Sequence, residues 1–238
     1  MAKARWSAPA IASLVAVALV ILAFAIEGIW SPDIWWQLST GRLILENGRV
    51  PTTDIFSYTV NGHEWIELRW LFCLGTYIGW QWGGPTLLIG AKALILLLTF
   101  AMIAWPAHRT MDSLAGPILL ALAVIASVGR FAVRPELITY LFLATFIVSL
   151  ERLASDRCRR GLWFMPLTQI IWTNSHTLFI LGPVVCWLYW VGSLIRPVDL
   201  AEDSMCLRGG TSASTPRLST RGRLLVTAML ASVACFAN

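Results

Sequence analysis

Arg130, Arg134 and Glu136 bring two guanidinium groups and a carboxylate to the edge of one long apolar run, and Asp33 stands at the edge of another. An ionised side chain costs about 2.5–3.5 kcal/mol at the centre of a bilayer, so each of these groups needs a partner or a wet cavity. Guanidinium matches phosphate oxygens two at a time, which gives Arg130 and Arg134 the chemistry to clamp a lipid-linked phosphate. Pro135 disfavours helix at Arg134 and so separates the cations from the run that follows. The same residues also read as a solvated loop with internal ion pairs. Asp33, likewise, reads either as a reacting acid or as a complement to the dipole of the helix it begins.

Asp54, in Pro51-Thr52-Thr53-Asp54, is a binding acid or a turn acid, and Glu67 is a weaker candidate. His176 follows Trp172-Thr173-Asn174-Ser175 at the end of a run. It reads as a polar member of a cavity, a proton shuttle, or an interfacial histidine. His63-Glu64-Trp65-Ile66-Glu67 starts like a zinc-protease helix, but Glu67 stands where the second histidine is needed. The remaining histidine, His108, falls on the opposite side of the bilayer in the topology below. No Ser/His/Asp arrangement is readable. The 5 cysteines form no C-x-x-C pair and fit no disulfide framework.

The elements that position these groups follow from composition. The 238 residues are 57% hydrophobic and only 13% charged, against about 25% charge in an average chain. Disordered, collagenous and disulfide-scaffold classes are excluded, and no nucleic-acid partner is expected. Continuous Leu/Ala/Ile/Val runs, rather than short alternating strands, predict an all-α integral membrane protein. About seven transmembrane helices are expected: Ala8–Ile26, Leu87–Trp105, Leu114–Val128, Leu137–Leu150, Leu162–Thr173, Leu178–Ile195 and Leu224–Ala237. Ala23-Phe24-Ala25 resembles a cleavage site, but the first run is longer than an ordinary signal sequence and further runs follow it, which favours an anchor. Trp70–Trp82 is ambiguous. Its length and the Gly83-Gly84-Pro85 that follows suit an interfacial helix.

With that stretch in the interface and the N-terminus inside, the cytoplasmic side collects Lys3, Arg5, Arg109, Arg152, Arg157, Arg159, Arg160, Arg196, Arg208, Arg217, Arg221 and Arg223. Cytoplasmic loops gather Lys and Arg, as this arrangement requires. Eight spans with the N-terminus outside fit the later loops equally well. The single module 1–238 then has two special segments. Residues 196–223 form a flexible basic cytoplasmic linker around Gly209-Gly210. Residues 28–85 form an extracytoplasmic loop holding Trp30, Trp35, Trp36, Trp65, Trp70, Trp80 and Trp82, which places it on the membrane surface. Its first part is an amphipathic interfacial helix, capped by Ser31, with Pro32 at the first position and Asn47-Gly48 at the end. Ile34, Leu38, Gly41 and Leu45 share one face, with Asp33, Gln37, Thr40 and Ile44 beside it. Asn61-Gly62 suits a tight hairpin turn.

Pro32-Asp33-Ile34-Trp35-Trp36-Gln37-Leu38, Gly41-Arg42, Gly48-Arg49-Val50-Pro51, Asp54, Phe56-Ser57-Tyr58-Thr59 and Gly62 resemble the first loop of a group of bacterial multispan proteins. These are the polyprenyl-phosphate-sugar-dependent glycosyltransferases of the C superfamily, akin to protein mannosyltransferases and the lipid A aminoarabinose transferase. Gly129-Arg130-Phe131, Arg134-Pro135-Glu136-Leu137 and Trp172-Thr173-Asn174-Ser175-His176 are similar to segments of the same group. Gln37 stands where that group often has histidine. The resemblance implies seven spans in the inner membrane and a polyprenyl-phosphate sugar as partner. It gives Asp33 as the acid that orients or deprotonates the acceptor, and Arg130 or Arg134 as the phosphate ligand. Glu136 then positions Arg134, and a divalent metal held by Asp33 and Glu136 is left open as a cofactor. Related chains continue further, so the resemblance also implies a fragment lacking the half that selects the acceptor. The alternative is a non-catalytic membrane protein assisting envelope glycan export or assembly.

Overall fold

In lipid, only a helix satisfies every backbone N–H and C=O within one segment, so uncharged apolar runs become helices. A computed structural model describes residues 8–29, 31–105, 115–154, 161–195 and 219–237 of the chain. In order, these form α1 (Ala8–Ala25), α2 (Asp33–Asn47), α3 (Trp70–Ala104), α4 (Ala115–Ser127), α5 (Glu136–Ala154), α6 (Gly161–Thr173), α7 (Leu181–Ile195) and α8 (Thr220–Ala234). Short 3₁₀ turns occupy Val128–Arg130 and Thr177–Ile180. The class is all-α, and among the described residues three helical segments are long and apolar enough to cross a bilayer: Trp70–Ala104, Glu136–Ala154 and Thr177–Ile195. Ala10–Ala25 and Ala115–Arg130 are apolar but shorter. The basic linker lies outside the described residues as far as position 218.

The ambiguous stretch Trp70–Trp82 is helical, and a kink just after it separates it from the helix of the next apolar run. The two are numbered together as α3, with the break at Gly84 (φ 58°, ψ −150°). That conformation is essentially restricted to glycine, so the helical path is interrupted at position 84 and resumes from Pro85, which suits the first position of a helix.

Packing divides the described residues into two compact units. One comprises residues up to 145 together with 174–177, and the other residues 146–173 and those from 178 onward. In the first, Val17 and Ile21 of α1, Leu96 and Phe100 of α3, and Leu120 and Val124 of α4 make one core. Phe131 extends it, meeting Phe100 edge to face at 6.2 Å. Lys92, a charge in the middle of an apolar run, is buried and donates to the Glu27 carbonyl at 3.0 Å. It thereby satisfies a carbonyl just past the end of α1, where helical partners run out.

A second core of this unit seats α2 on the first half of α3, with Ile34 and Leu38 against Leu88, Val133, Phe72, Tyr77 and Trp80. The buried face of α2 is Ile34, Gln37, Leu38, Thr40, Gly41 and Ile44. Leu45, expected on that face, is exposed. Gly41 marks the closest approach to α3, where a Cβ would collide with the Cys73 carbonyl and the Tyr77 side chain, and Leu45 lies one turn beyond it. α2 ends at Gly48 in the left-handed region (φ 64°), whose N–H donates to the Ile44 carbonyl at 2.9 Å. Its start departs from expectation. Pro32 flanks it, no side chain caps it, and the Ile34 N–H reaches the Ser31 carbonyl at 3.3 Å. Beyond α2, Asn61-Gly62 does turn the chain. Asp54 N–H meets the His63 carbonyl at 2.8 Å and Trp65 N–H the Thr52 carbonyl at 2.9 Å.

The second unit packs α8 against α6 and α7. Trp187 Nε1 donates to Ser232 Oγ at 3.1 Å, and Phe146 meets Trp172 edge to face at 5.6 Å.

Candidate functional site

Two helix N-termini supply the acids of the site. Asp33 is the first residue of α2 and Glu136 the first of α5, where the positive end of each helix favours a carboxylate. Pro135 keeps Arg134 out of α5. The Arg134 and Pro135 carbonyls then accept from the N–H groups of Leu137 and Ile138 at 3.1 Å each, fixing the corner.

From that corner Arg134 reaches back to the start of α2. Its Nε donates to Ser31 Oγ at 3.0 Å, and its Nη2 lies 3.7 Å from Asp33 Oδ2. The hydroxyl expected to cap α2 is therefore used to hold an arginine. Arg130 Nη1 stands 3.7 Å from Glu136 Oε2, to which Tyr140 also donates at 3.5 Å. Hydrogen bonds between N and O lie at 2.7–3.2 Å, so both ion pairs are charge neighbours without being locked together. A guanidinium has five N–H donors, and Arg134 commits one of them to Ser31. Both arginines keep donors for an anionic ligand. The side chains of Asp33 and Arg134 are 48% and 35% exposed, which leaves the pair within reach of a substrate.

His176 belongs to the same unit and is buried, with Nδ1 2.7 Å from Thr139 Oγ1 on the first turn of α5. Burial lowers its pKa below the usual histidine value; Glu136 nearby opposes the shift and Arg69 adds to it. The neutral ring is favoured at pH 7. Beside it, Asn174 accepts from Trp70 Nε1 at 2.7 Å through its side chain and from the Leu71 N–H at 3.0 Å through its carbonyl. These bonds tie the 174–177 segment to the start of α3. Arg69 was not singled out in the sequence. Its Nε contacts buried Glu67 at 3.2 Å and its guanidinium lies 4.6 Å over the Trp36 ring. The contact with Trp36 has no sequence spacing that would have revealed it, whereas the acid two residues before the arginine was visible.

Asp54 is bound into its own turn and makes no ion pair with the four charged residues above. Its Oδ1 accepts from the N–H groups of Phe56 and Ser57 at 2.9 Å each. These bonds, with the Ser57 hydroxyl contributing most, pull its pKa below the ordinary carboxylate value. It lines a small cavity of about 120 Å³ with Trp36, Thr40, Phe56, Trp65 and Glu67 among the walls. On the facing helix, Gln37 Oε1 and Thr40 Oγ1 are buried without a hydrogen-bond partner. Such an orphan costs about 1–3 kcal/mol and calls for a reason.

A divalent metal does not fit the residues present. Among the described residues no group of three metal-ligating side chains occurs, and the two acids in question each face an arginine. Comparison with family models, curated proteins and solved structures finds no match to this chain.

Proposed function

We propose that the chain is the membrane module of a glycosyltransferase that takes a sugar from a polyprenyl-phosphate donor on the extracytoplasmic side of the inner membrane. Seven apolar helices cross the bilayer in this reading, with the N-terminus in the cytoplasm. The observation that carries it is the Asp33–Arg134 pair at 3.7 Å, held by Ser31 and flanked by Arg130–Glu136. A base and a phosphate ligand stand side by side at a surface a lipid-linked donor can reach.

The chemistry follows from that juxtaposition. An acceptor hydroxyl attacks the anomeric carbon, and a new C–O bond forms as the bond to the phosphate oxygen breaks. The proton passes to the Asp33 carboxylate. The electron pair leaves with the polyprenyl phosphate, whose developing charge the free N–H donors of Arg134 and Arg130 stabilise. Glu136 holds Arg130 toward that oxygen, and no step needs a metal. Neutral His176 supports the corner through Thr139.

The test is transfer from a labelled polyprenyl-phosphate sugar in membranes carrying the full-length protein. Asp33→Asn removes the base and is expected to lower transfer by about 10²–10⁴-fold, the usual yield of general base catalysis. Unchanged transfer at a normal protein level would sink the mechanism.

A further inference from the structure

Lys92 is the one charge in the sequence between Pro85 and Trp105, and its side chain is 2% exposed. An ammonium kept inside an apolar run is costly and calls for a reason of its own. Residues one turn away on the same face of α3 serve two different cores. Leu88 packs with Ile34 and Leu38 of α2, and Leu96 packs with Val17 and Ile21 of α1. Lys92 stands between them, and its Nζ donates to the Glu27 carbonyl at 3.0 Å. Among the described residues it forms no ion pair.

A neutral donor would also serve a carbonyl, but Glu27 lies two residues beyond the end of α1. That is the negative end of the helix dipole, and α1 has no basic residue in its last turn. Lys92 supplies the cation from α3. Apolar packing is non-directional, whereas this bond fixes one atom past the end of α1 against a neighbouring helix. The candidate site begins close by in the chain. Ser31, four residues after Glu27, holds Arg134 Nε at 3.0 Å, and Asp33 lies 3.7 Å from Arg134 Nη2. Four residues reach at most about 14 Å, so a shift at Glu27 has little slack in which to be absorbed.

We propose that Lys92 is a positioning residue: by pinning the Glu27 carbonyl it sets the place of Ser31 and Asp33 against Arg134. It acts through these residues and touches neither donor nor acceptor. The pinning stands without the transferase reading; its effect on rate rests on that reading.

Cross-linking tests the pinning without any need for activity. The full-length protein in nanodiscs, with native cysteines replaced by serine, receives Ser31→Cys and Arg134→Cys. A short bifunctional methanethiosulfonate is expected to join the two positions. Lys92→Met should slow that reaction about tenfold, with a melting temperature unchanged or higher because a buried ion is replaced by an apolar chain. Lys92→Arg, which restores a cationic donor, should restore the rate. Equal rates with Lys92 and Lys92→Met overturn the proposal. So does a slowing that Lys92→Arg leaves in place, or one accompanied by a lower melting temperature, which would make Lys92 a general core residue.

Sugar transfer by the protein with native Ser31 and Arg134 then tests the consequence. Lys92→Met should lower kcat by up to about 10²-fold, the cost of a misplacement of roughly 1 Å, with donor KM little changed. A raised donor KM at unchanged kcat would make Lys92 a donor ligand and overturn the positioning role. Unchanged kcat and KM beside a large loss in Asp33→Asn would overturn it too. Cross-linking that depends on Lys92, in a protein whose transfer is absent or indifferent to Asp33→Asn, overturns only the transferase mechanism.

Discussion

Arg134 Nη2 lies 3.7 Å from Asp33 Oδ2, while its Nε is committed to Ser31 Oγ at 3.0 Å. This joins the start of α2 to the corner before α5. The pair is half-exposed and contributes little to stability, on the order of 0–1 kcal/mol. Arg134→Lys keeps the charge but loses the planar fork. Hydrogen bonds to charged groups are worth about 1.5–3 kcal/mol, so donor KM should rise by at least about tenfold. The melting temperature should move little. Equal donor KM in wild type and variant would remove Arg134 from phosphate binding.

Arg130 is the more exposed cation, 63% against 35% for Arg134. Its bond to Glu136 is long and screened. Glu136→Gln is therefore expected to leave folding intact and to lower kcat by less than Asp33→Asn does, because it removes only the orientation of Arg130. A transfer assay on both variants ranks them. The reverse order would make Glu136 the base.

Some of this was legible in the sequence and some was not, for a physical reason. The end of α2 at Asn47-Gly48 was readable because it depends on one residue that tolerates positive φ, and Gly48 adopts φ 64°. The turn at Asn61-Gly62 was readable for the same reason, Gly62 adopting φ 85°, but in place of a tight hairpin the flanking chain makes one isolated bridge, Thr53 to Glu64, around a longer loop. Ser31 was misassigned because its hydroxyl has a local option, the cap, and a distant one, Arg134. The distant one wins, and no local pattern encodes it. Leu45 shares the stripe of Ile34, Leu38 and Gly41 by helical period, yet it lies one turn past the close approach at Gly41 and is exposed, because period gives the face of a helix and not how far along it the neighbour reaches. Asp33, Arg130, Arg134, Glu136 and His176 were all named from the sequence. That Asp33 and Arg134 are neighbours, as are Arg130 and Glu136, required the fold.

Gly41 offers a test of the α2–α3 contact. A methyl group there meets the Cys73 backbone carbonyl, which cannot move aside as a flexible side chain would. Gly41→Ala is expected to destabilise the protein by roughly 1–3 kcal/mol, the usual cost of overpacking. Limited proteolysis of the 49–69 loop should accelerate with it. An unchanged melting temperature and digestion rate would show that α2 does not sit on α3 this closely.

Topology is accessible through exposed positions. Cys73 and Cys186 are buried and unsuited to labelling. With the native cysteines replaced by serine, Tyr58→Cys in the loop and Arg152→Cys near the end of α5 place reporters at exposed sites. A membrane-impermeant thiol reagent applied to intact spheroplasts should label position 58 and spare position 152. Labelling of 152 alone would invert the assignment.

His176 sets a pH dependence whose sign is fixed by burial. Its folded pKa is depressed below the unfolded value of about 6.5. Above that value both states hold the ring neutral, and its contribution to stability is fully present. As pH falls through about 6.5 toward the lower folded value, the unfolded state takes up a proton that the folded state resists, and stability is lost. The melting temperature of the protein in nanodiscs should therefore fall between pH 7 and pH 5. His176→Gln cannot titrate and should flatten that slope, even if its melting temperature at pH 7.5 is lower through loss of the contact to Thr139. A slope identical to wild type would assign the acid sensitivity between pH 7 and pH 5 to groups other than His176, Asp54 not among them. Its depressed carboxylate loses its contribution only at lower pH, below about 4.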